Sequence, residues 1–253
     1  MPYLNRDGVQ IYYEQRGAGP AVLLSHGYSA STRMWQGQME ALSDRYHMIA
    51  WDMRGHDRSD SPDDPGLYSH DLTTGDMAAI LDACGAKRAV IGGLSLGGFT
   101  SLAFNLAAPE RVLALMLFDT GPGYKKDEPR GEWNRMTESM ARAFEKQGLA
   151  ALSTGAEARV AQHRSARGLA LAARGMLAQK DGRVIESLPS IRVPTLVLVG
   201  AGDKQFLPSA DYMAAKIPGA EKVLLEGAGH ASNIDQPDAF NAAVRRFLDR
   251  VTA

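Results

Sequence analysis

The chain has little that would tie it to a membrane, a nucleic acid or an oxidising compartment. It contains one cysteine, Cys84, so an internal disulfide is excluded. Its formal net charge of −1 gives no electrostatic reason to expect a nucleic acid or an anionic membrane as a partner. No apolar run approaches the ~18 residues of a membrane span, and the N-terminal residues lack the apolar stretch of a signal peptide. We therefore expect a cytoplasmic protein.

What the chain does have is enough apolar residues for one large core. Hydrophobic residues make up 45% of its 253 residues. Short apolar runs alternate with helix-like segments, which predicts a mostly parallel sheet covered by helices on both faces. A hairpin around Asp7-Gly8 opens the pattern. Further strands are predicted at residues 21–25, 47–51, 89–91, 112–118, 195–199 and 220–225. Helices are predicted at residues 34–42, 69–84, 99–108 and 238–251.

One segment interrupts this alternation. Trp133, Met136, Met140 and Phe144 recur there at helical spacing, and no convincing strand accompanies them. Trp133, Met136 and Met140 are candidates for lining a substrate pocket, although packing onto the core would explain the same spacing. The chain is thus predicted to divide into a core domain of residues 1–120 and 190–253 and an inserted helical cap of residues 121–189.

Three arginines in the predicted cap bear on whether the substrate is negatively charged. Arg159, Arg164 and Arg167 could bind an anionic substrate. A solvated helix face would explain them equally well.

The most specific motif is Gly93-Leu94-Ser95-Leu96-Gly97, between a predicted strand and a predicted helix. A G-x-S-x-G sequence at such a position is typical of a nucleophile elbow, a sharp turn that exposes the serine hydroxyl. Gly93 and Gly97 supply the small residues that the turn needs. Ser95 is therefore the candidate nucleophile, and the Leu96 N–H is a candidate donor to the oxyanion of a bound acyl group.

A serine hydroxyl also needs a base, and that base needs an acid to hold its tautomer. Asp203 follows the predicted strand 195–199, and His230 follows the predicted strand 220–225. Both residues thus fall at the same sheet edge as Ser95, in the order serine, acid, histidine. Asp119 also follows a predicted strand and is the alternative acid.

The second oxyanion donor is expected from the loop after the strand at residues 21–25. Gly27 would let the backbone of that loop approach a ligand closely. We therefore predict that the Tyr28 N–H is the second donor.

Together these residues resemble the α/β-hydrolase superfamily over nearly the whole chain. The resemblance is carried by residues 25–28, 51–60 and 93–97, by Gly202-Asp203 and by Gly229-His230. With its short cap, the arrangement is similar to the group of 3-oxoadipate enol-lactonases, carboxylesterases and cofactor-free haloperoxidases (perhydrolases). The resemblance implies an eight-stranded sheet and a Ser-His-Asp hydrolase that needs no metal and no cofactor. One departure is Asp57, where that group usually carries glycine.

The expected function is that of a serine carboxylesterase or lactonase, with a small-molecule ester or lactone as its partner. Haloalkane dehalogenases and epoxide hydrolases share the resemblance but use aspartate where this chain has Ser95. Carbon–carbon bond hydrolases, perhydrolases and hydroxynitrile lyases keep the serine and stay open as alternatives. So does a slow-turnover ligand receptor of the same fold, and the sequence leaves the oligomeric state open.

Overall fold

The computed structural model describes residues 3–253 of the chain. Its eight strands are β1 (Tyr3–Arg6), β2 (Val9–Arg16), β3 (Ala21–Ser25), β4 (His47–Trp51), β5 (Ala89–Leu94), β6 (Val112–Phe118), β7 (Thr195–Gly200) and β8 (Glu221–Leu225). Its α-helices are α1 (Gln36–Leu42), α2 (His70–Ala83), α3 (Leu96–Ala107), α4 (Asp127–Gln147), α5 (Ala156–Arg159), α6 (Ala166–Ala172), α7 (Arg183–Ser187), α8 (Leu207–Lys216), α9 (Ser232–Asp235) and α10 (Pro237–Val251).

The strands form one sheet in the order β1-β2-β4-β3-β5-β6-β7-β8. β2 pairs antiparallel with β1 and β4, and every later pairing is parallel. The predicted eight-stranded, mostly parallel sheet is confirmed. Because parallel strands end at the same edge, the loops after β3, β5, β7 and β8 converge there.

Helices bury both faces of the sheet, as the nearly continuous apolar strands require. On one face Leu23 and Ile91 pack with apolar residues of α2, α3 and α8. On the other face Val22 and Leu24 pack with apolar residues of α1 and α10. The alternation of neighbouring residues between the two faces follows from the two-residue repeat of a strand.

Between β6 and β7 lies residue range 121–189, which we call the helical segment. Within the described chain it holds α4 to α7 and a π-helical turn, Ala173–Leu177, but no strand. Phe144 of α4 packs against Leu169 and Ala170 of α6 in a small apolar cluster. The division into a core domain and an inserted cap, with its boundaries at 120 and 189, stays a prediction.

Some helices were not predicted from the sequence. α8 buries only Ala210 and Met213, so its apolar repeat is too sparse to indicate a helix.

No helix among residues 3–253 combines the length and apolar character needed to cross a bilayer.

Candidate active site

Ser95 lies at the sharp turn between β5 and α3. Its backbone angles are φ 56° and ψ −115°, a conformation that costs a non-glycine residue about 1–3 kcal/mol. Its neighbours must be small for the turn to form. A Cβ atom on Gly97 would lie 2.1 Å from the Ser25 carbonyl oxygen, and one on Gly93 would lie 2.4 Å from the Gly97 carbonyl carbon. The turn thus presents Ser95 above the sheet edge only with glycine at both positions.

His230 and Asp203 meet beyond the ends of β8 and β7. The His230 Nδ1 atom is 2.7 Å from Asp203 Oδ2, so this nitrogen donates to the carboxylate. Phe206 stacks on the imidazole with the ring centroids 5.1 Å apart. The carboxylate and the aromatic ring fix the orientation of His230 and leave its Nε2 atom for a substrate or for Ser95.

Charge around His230 makes its imidazole more basic. Burial acts to lower its pKa, but the hydrogen bond to Asp203 and the negative charges of Asp203, Asp119 and Glu157 outweigh burial and raise the pKa above its usual value. An imidazolium at this position is therefore better stabilised than a free one.

The alternative acid, Asp119, is engaged elsewhere. Its carboxylate accepts hydrogen bonds from the Gly200 N–H, at 2.8 Å, and from the Ser232 hydroxyl. Burial raises the pKa of Asp119 to about 7. Asp203, and not Asp119, thus holds the His230 ring.

Ser95 and His230 line one cavity at the sheet edge. Among the described residues no hydrogen bond joins the Ser95 hydroxyl to the imidazole. Such contacts are often long before a substrate is bound and shorten in the reacting complex. The structure therefore brings the three predicted triad residues to one site, with the histidine–aspartate contact already made.

The loop after β3 runs beside Ser95. A Cβ atom on Gly27 would lie 3.5 Å from Ser95 Cβ. The Gly27 carbonyl accepts hydrogen bonds from the Ala30 N–H, at 3.1 Å, and from His26 Nδ1, at 2.7 Å. These two bonds fix the peptide plane, and the N–H of a trans peptide points opposite to its carbonyl. Within the described chain neither the Tyr28 N–H nor the Leu96 N–H donates to a protein group, so both remain available for an oxyanion.

Three buried histidines hold this loop, a role that sequence reasoning missed. His26 accepts from the Met53 N–H at 3.0 Å, and His56 accepts from the Ser29 N–H at 3.3 Å. His163 of the helical segment accepts from the Asp57 N–H at 3.1 Å and donates to the Ser29 carbonyl at 2.9 Å. Burial lowers the pKa of His26 to about 4 and also lowers the pKa of the other two, so all three stay neutral. His26 and His56 lie in stretches that carry the family resemblance, but no sequence signal marked His163.

Asp57 adopts a left-handed backbone, with φ 37°, which aspartate tolerates better than most residues. Its carboxylate accepts from Arg33 Nε and from the Gln162 N–H, each at 2.9 Å. Arg164 Nε donates to the Asp57 carbonyl at 2.9 Å. The aspartate therefore ties the helical segment to the core, which glycine with no side chain could not do.

The cavity consists of two adjacent chambers whose walls share Ser95, Trp133, Leu177 and Phe206. The larger chamber encloses about 290 Å³, and the predicted pocket residues Trp133, Met136 and Met140 all line it. The smaller chamber encloses about 50 Å³ and shares Trp133 as a wall.

None of the three candidate arginines lines either chamber. Arg164 binds backbone carbonyls and Arg167 pairs with Asp63, while Arg159 is exposed. These residues therefore do not offer an anion site beside Ser95.

Comparison with known proteins agrees with this architecture. The model of the alpha/beta hydrolase family matches residues 22–243, which include the elbow, Asp203 and His230. The chain belongs to the α/β hydrolase family. The resemblance predicted from the sequence is thereby confirmed.

Relatives within the α/β hydrolases carry several activities in their names. A protein of Azorhizobium caulinodans, provisionally named carbamate hydrolase RutD, is 31% identical over 99% of both chains. The enol-lactonase from Burkholderia xenovorans LB400 is 28% identical, with a TM-score of 0.79 over 98% of this chain and 100% of that one. A thermophilic esterase from Thermogutta terrifontis is 28% identical, with a TM-score of 0.83 over 99% of this chain and 97% of that one.

The charge of Glu157 yields a test of the electrostatics around this hydrolase site. Neutral His230 is the form that accepts a proton, so kcat/KM should fall as the pH drops below the pKa of His230. Glu157 helps to raise that pKa. We expect Glu157→Gln to move the acidic limb of the pH profile of kcat/KM to lower pH. Glu132→Gln, at an exposed position on α4, should leave the limb in place. An unmoved limb in Glu157→Gln would show that the charge of Glu157 does not raise the pKa of His230.

Proposed function

We propose that this α/β hydrolase is a serine esterase or lactonase that cleaves small carboxylic esters through an acyl-enzyme. The observation that carries the proposal is the convergence at one cavity of a strained, half-buried Ser95 and a His230 ring already paired with Asp203 at 2.7 Å. The enol-lactonase and esterase names among the relatives support the same reaction class.

In the proposed reaction His230 Nε2 takes the proton of the Ser95 hydroxyl as Ser95 Oγ attacks the ester carbonyl carbon. The negative charge that develops on the carbonyl oxygen is stabilised by the Leu96 and Tyr28 N–H groups. His230 then gives its proton to the leaving alcohol, and the acyl group stays on Ser95. Asp203 stabilises the imidazolium during both transfers.

The second half of the reaction repeats these roles with water. His230 takes a proton from a water molecule, whose oxygen attacks the acyl carbon, and returns the proton to Ser95 Oγ as the acid leaves. The chain's own residues supply each proton acceptor and donor in this sequence.

A fluorophosphonate probe tests the proposal directly. It should phosphonylate Ser95 alone, with displacement of fluoride, and mass spectrometry of the digested protein should place the adduct on the peptide that contains Ser95. Modification should abolish hydrolysis of p-nitrophenyl acetate in proportion to labelling, because both reactions need the same activated oxygen. Full ester turnover by completely labelled protein would refute the proposed nucleophile.

A further inference from the structure

The two chambers beside Ser95 differ in what they offer a substrate. Both are bounded by Trp133, Leu177 and Phe206, but only the larger one is lined by His230. In the proposed function His230 must protonate the leaving oxygen, so it must lie next to the alcohol part of the ester. The alcohol therefore occupies the larger chamber, and the acyl group extends into the smaller one.

The smaller chamber sets the length of the acyl group. Its volume is about 50 Å³. The larger chamber, at about 290 Å³, is several times as large. We therefore expect the smaller chamber to favour short acyl groups such as acetyl and butyryl over octanoyl.

Gln179 gives the smaller chamber a hydrogen-bond donor. Its side chain is 7% exposed and its Oε1 atom accepts from the Tyr124 N–H at 3.0 Å. The Asn134 side chain holds the backbone of Gln179. Its Oδ1 atom accepts from the Gln179 N–H and its Nδ2 atom donates to the Gln179 carbonyl, each at 2.8 Å. With Oε1 engaged, the Nε2 atom has no partner among the described residues and is left for a ligand in the chamber.

Ser209 adds a second polar group to the same wall. It is half-buried and lines the smaller chamber, and its hydroxyl makes no hydrogen bond within the described chain. A donor that a ligand shuts off from water costs about 1–3 kcal/mol if it finds no partner. An acyl group that offers an acceptor at this wall avoids that cost.

Resting on the proposed function, we infer that the acyl group of the preferred substrate is short and carries a hydrogen-bond acceptor near its far end, held by Gln179 Nε2 and Ser209. Methoxyacetyl, with an ether oxygen, and butyryl, with a methylene in its place, form a matched pair of nearly the same size. A site with these donors favours the ether over the hydrocarbon.

The first test compares p-nitrophenyl methoxyacetate with p-nitrophenyl butyrate in two enzymes. The ether ester is intrinsically more reactive. For each enzyme we therefore divide kcat/KM for the methoxyacetate by kcat/KM for the butyrate. Dividing the wild-type ratio by the Gln179→Met ratio then cancels the intrinsic difference. We expect a quotient of about ten, the value of one hydrogen bond. Gln205→Met, which changes the larger chamber only, should give a quotient near one.

A second variant keeps the test decisive if Gln179→Met does not fold. Ser209→Ala leaves the contact between Gln179 and Tyr124 in place and should also lower the preference for the ether. The wild-type enzyme should in addition lose at least about tenfold in kcat/KM from the butyryl to the octanoyl ester, because overpacking a full cavity is costly.

The outcomes separate the inference from the proposed function. Ester hydrolysis that needs Ser95 but shows a quotient near one for both Gln179→Met and Ser209→Ala would overturn the acyl assignment alone. Equal rates for the butyryl and octanoyl esters would overturn the acyl assignment as well. Ester hydrolysis that survives loss of Ser95 would overturn the proposed function and this inference together.

Discussion

Replacing Ser95 by alanine is expected to lower kcat for p-nitrophenyl butyrate by a factor on the order of 10⁴ to 10⁶. The variant keeps the oxyanion donors and the chamber walls but has no oxygen to attack the ester. Water activated by His230 is then the only nucleophile left. The measurement is the steady-state rate of p-nitrophenol release, with KM expected to change little.

The control for this prediction is Ser139→Ala, the same substitution at an exposed position on α4. It should keep the wild-type rate. Thermal unfolding of Ser95→Ala should show a melting temperature at or above that of the wild type, because alanine removes no buried contact. A Ser95→Ala variant that hydrolyses esters at a tenth of the wild-type rate or faster would exclude Ser95 as the nucleophile.

Gly97→Ala is expected to lower the free energy of unfolding by about 3 kcal/mol, the upper range for overpacked positions. The new Cβ atom would lie 2.1 Å from the Ser25 carbonyl oxygen and 2.8 Å from the His26 carbonyl oxygen. Both contacts are with backbone, which cannot move aside without displacing β3 or α3. The elbow and the loop that carries Tyr28 would shift apart, so ester hydrolysis should fall with stability.

Gly37→Ala is the matched control. Gly37 lies in α1, and a Cβ atom there meets nothing within 4 Å. Alanine favours a helix over glycine, so this variant should be about 1 kcal/mol more stable than the wild type. Urea unfolding followed by circular dichroism measures both variants. Equal stabilities for Gly97→Ala and the wild type would show that the turn has more room than the structure indicates.

The sheet and the positions of the main site residues could be predicted because local signals agreed there. Apolar runs identified the strands, and Ser95, Asp203 and His230 each follow one of them. In a parallel sheet that is enough to place them at one edge.

Other parts of the site had no local signal. His163 reaches Ser29 across 134 positions of sequence, and Gln179 reaches Tyr124 across 55. Such contacts depend on how the helical segment packs, which a single sequence does not encode as a repeat or a motif. The choice between Asp203 and Asp119 needed the hydrogen bond to His230, since both aspartates follow a strand.

The attachment of the helical segment has a consequence for protein engineering. His163, Arg164 and Tyr28 join the segment to the core through backbone carbonyls, those of Ser29, Asp57, Arg58 and Leu169. The side chains of Met136, Met140 and Ala143, which line the larger chamber, take no part in that attachment. A combinatorial library at these three positions would therefore diversify the alcohols accepted while the anchorage of the segment stays constant.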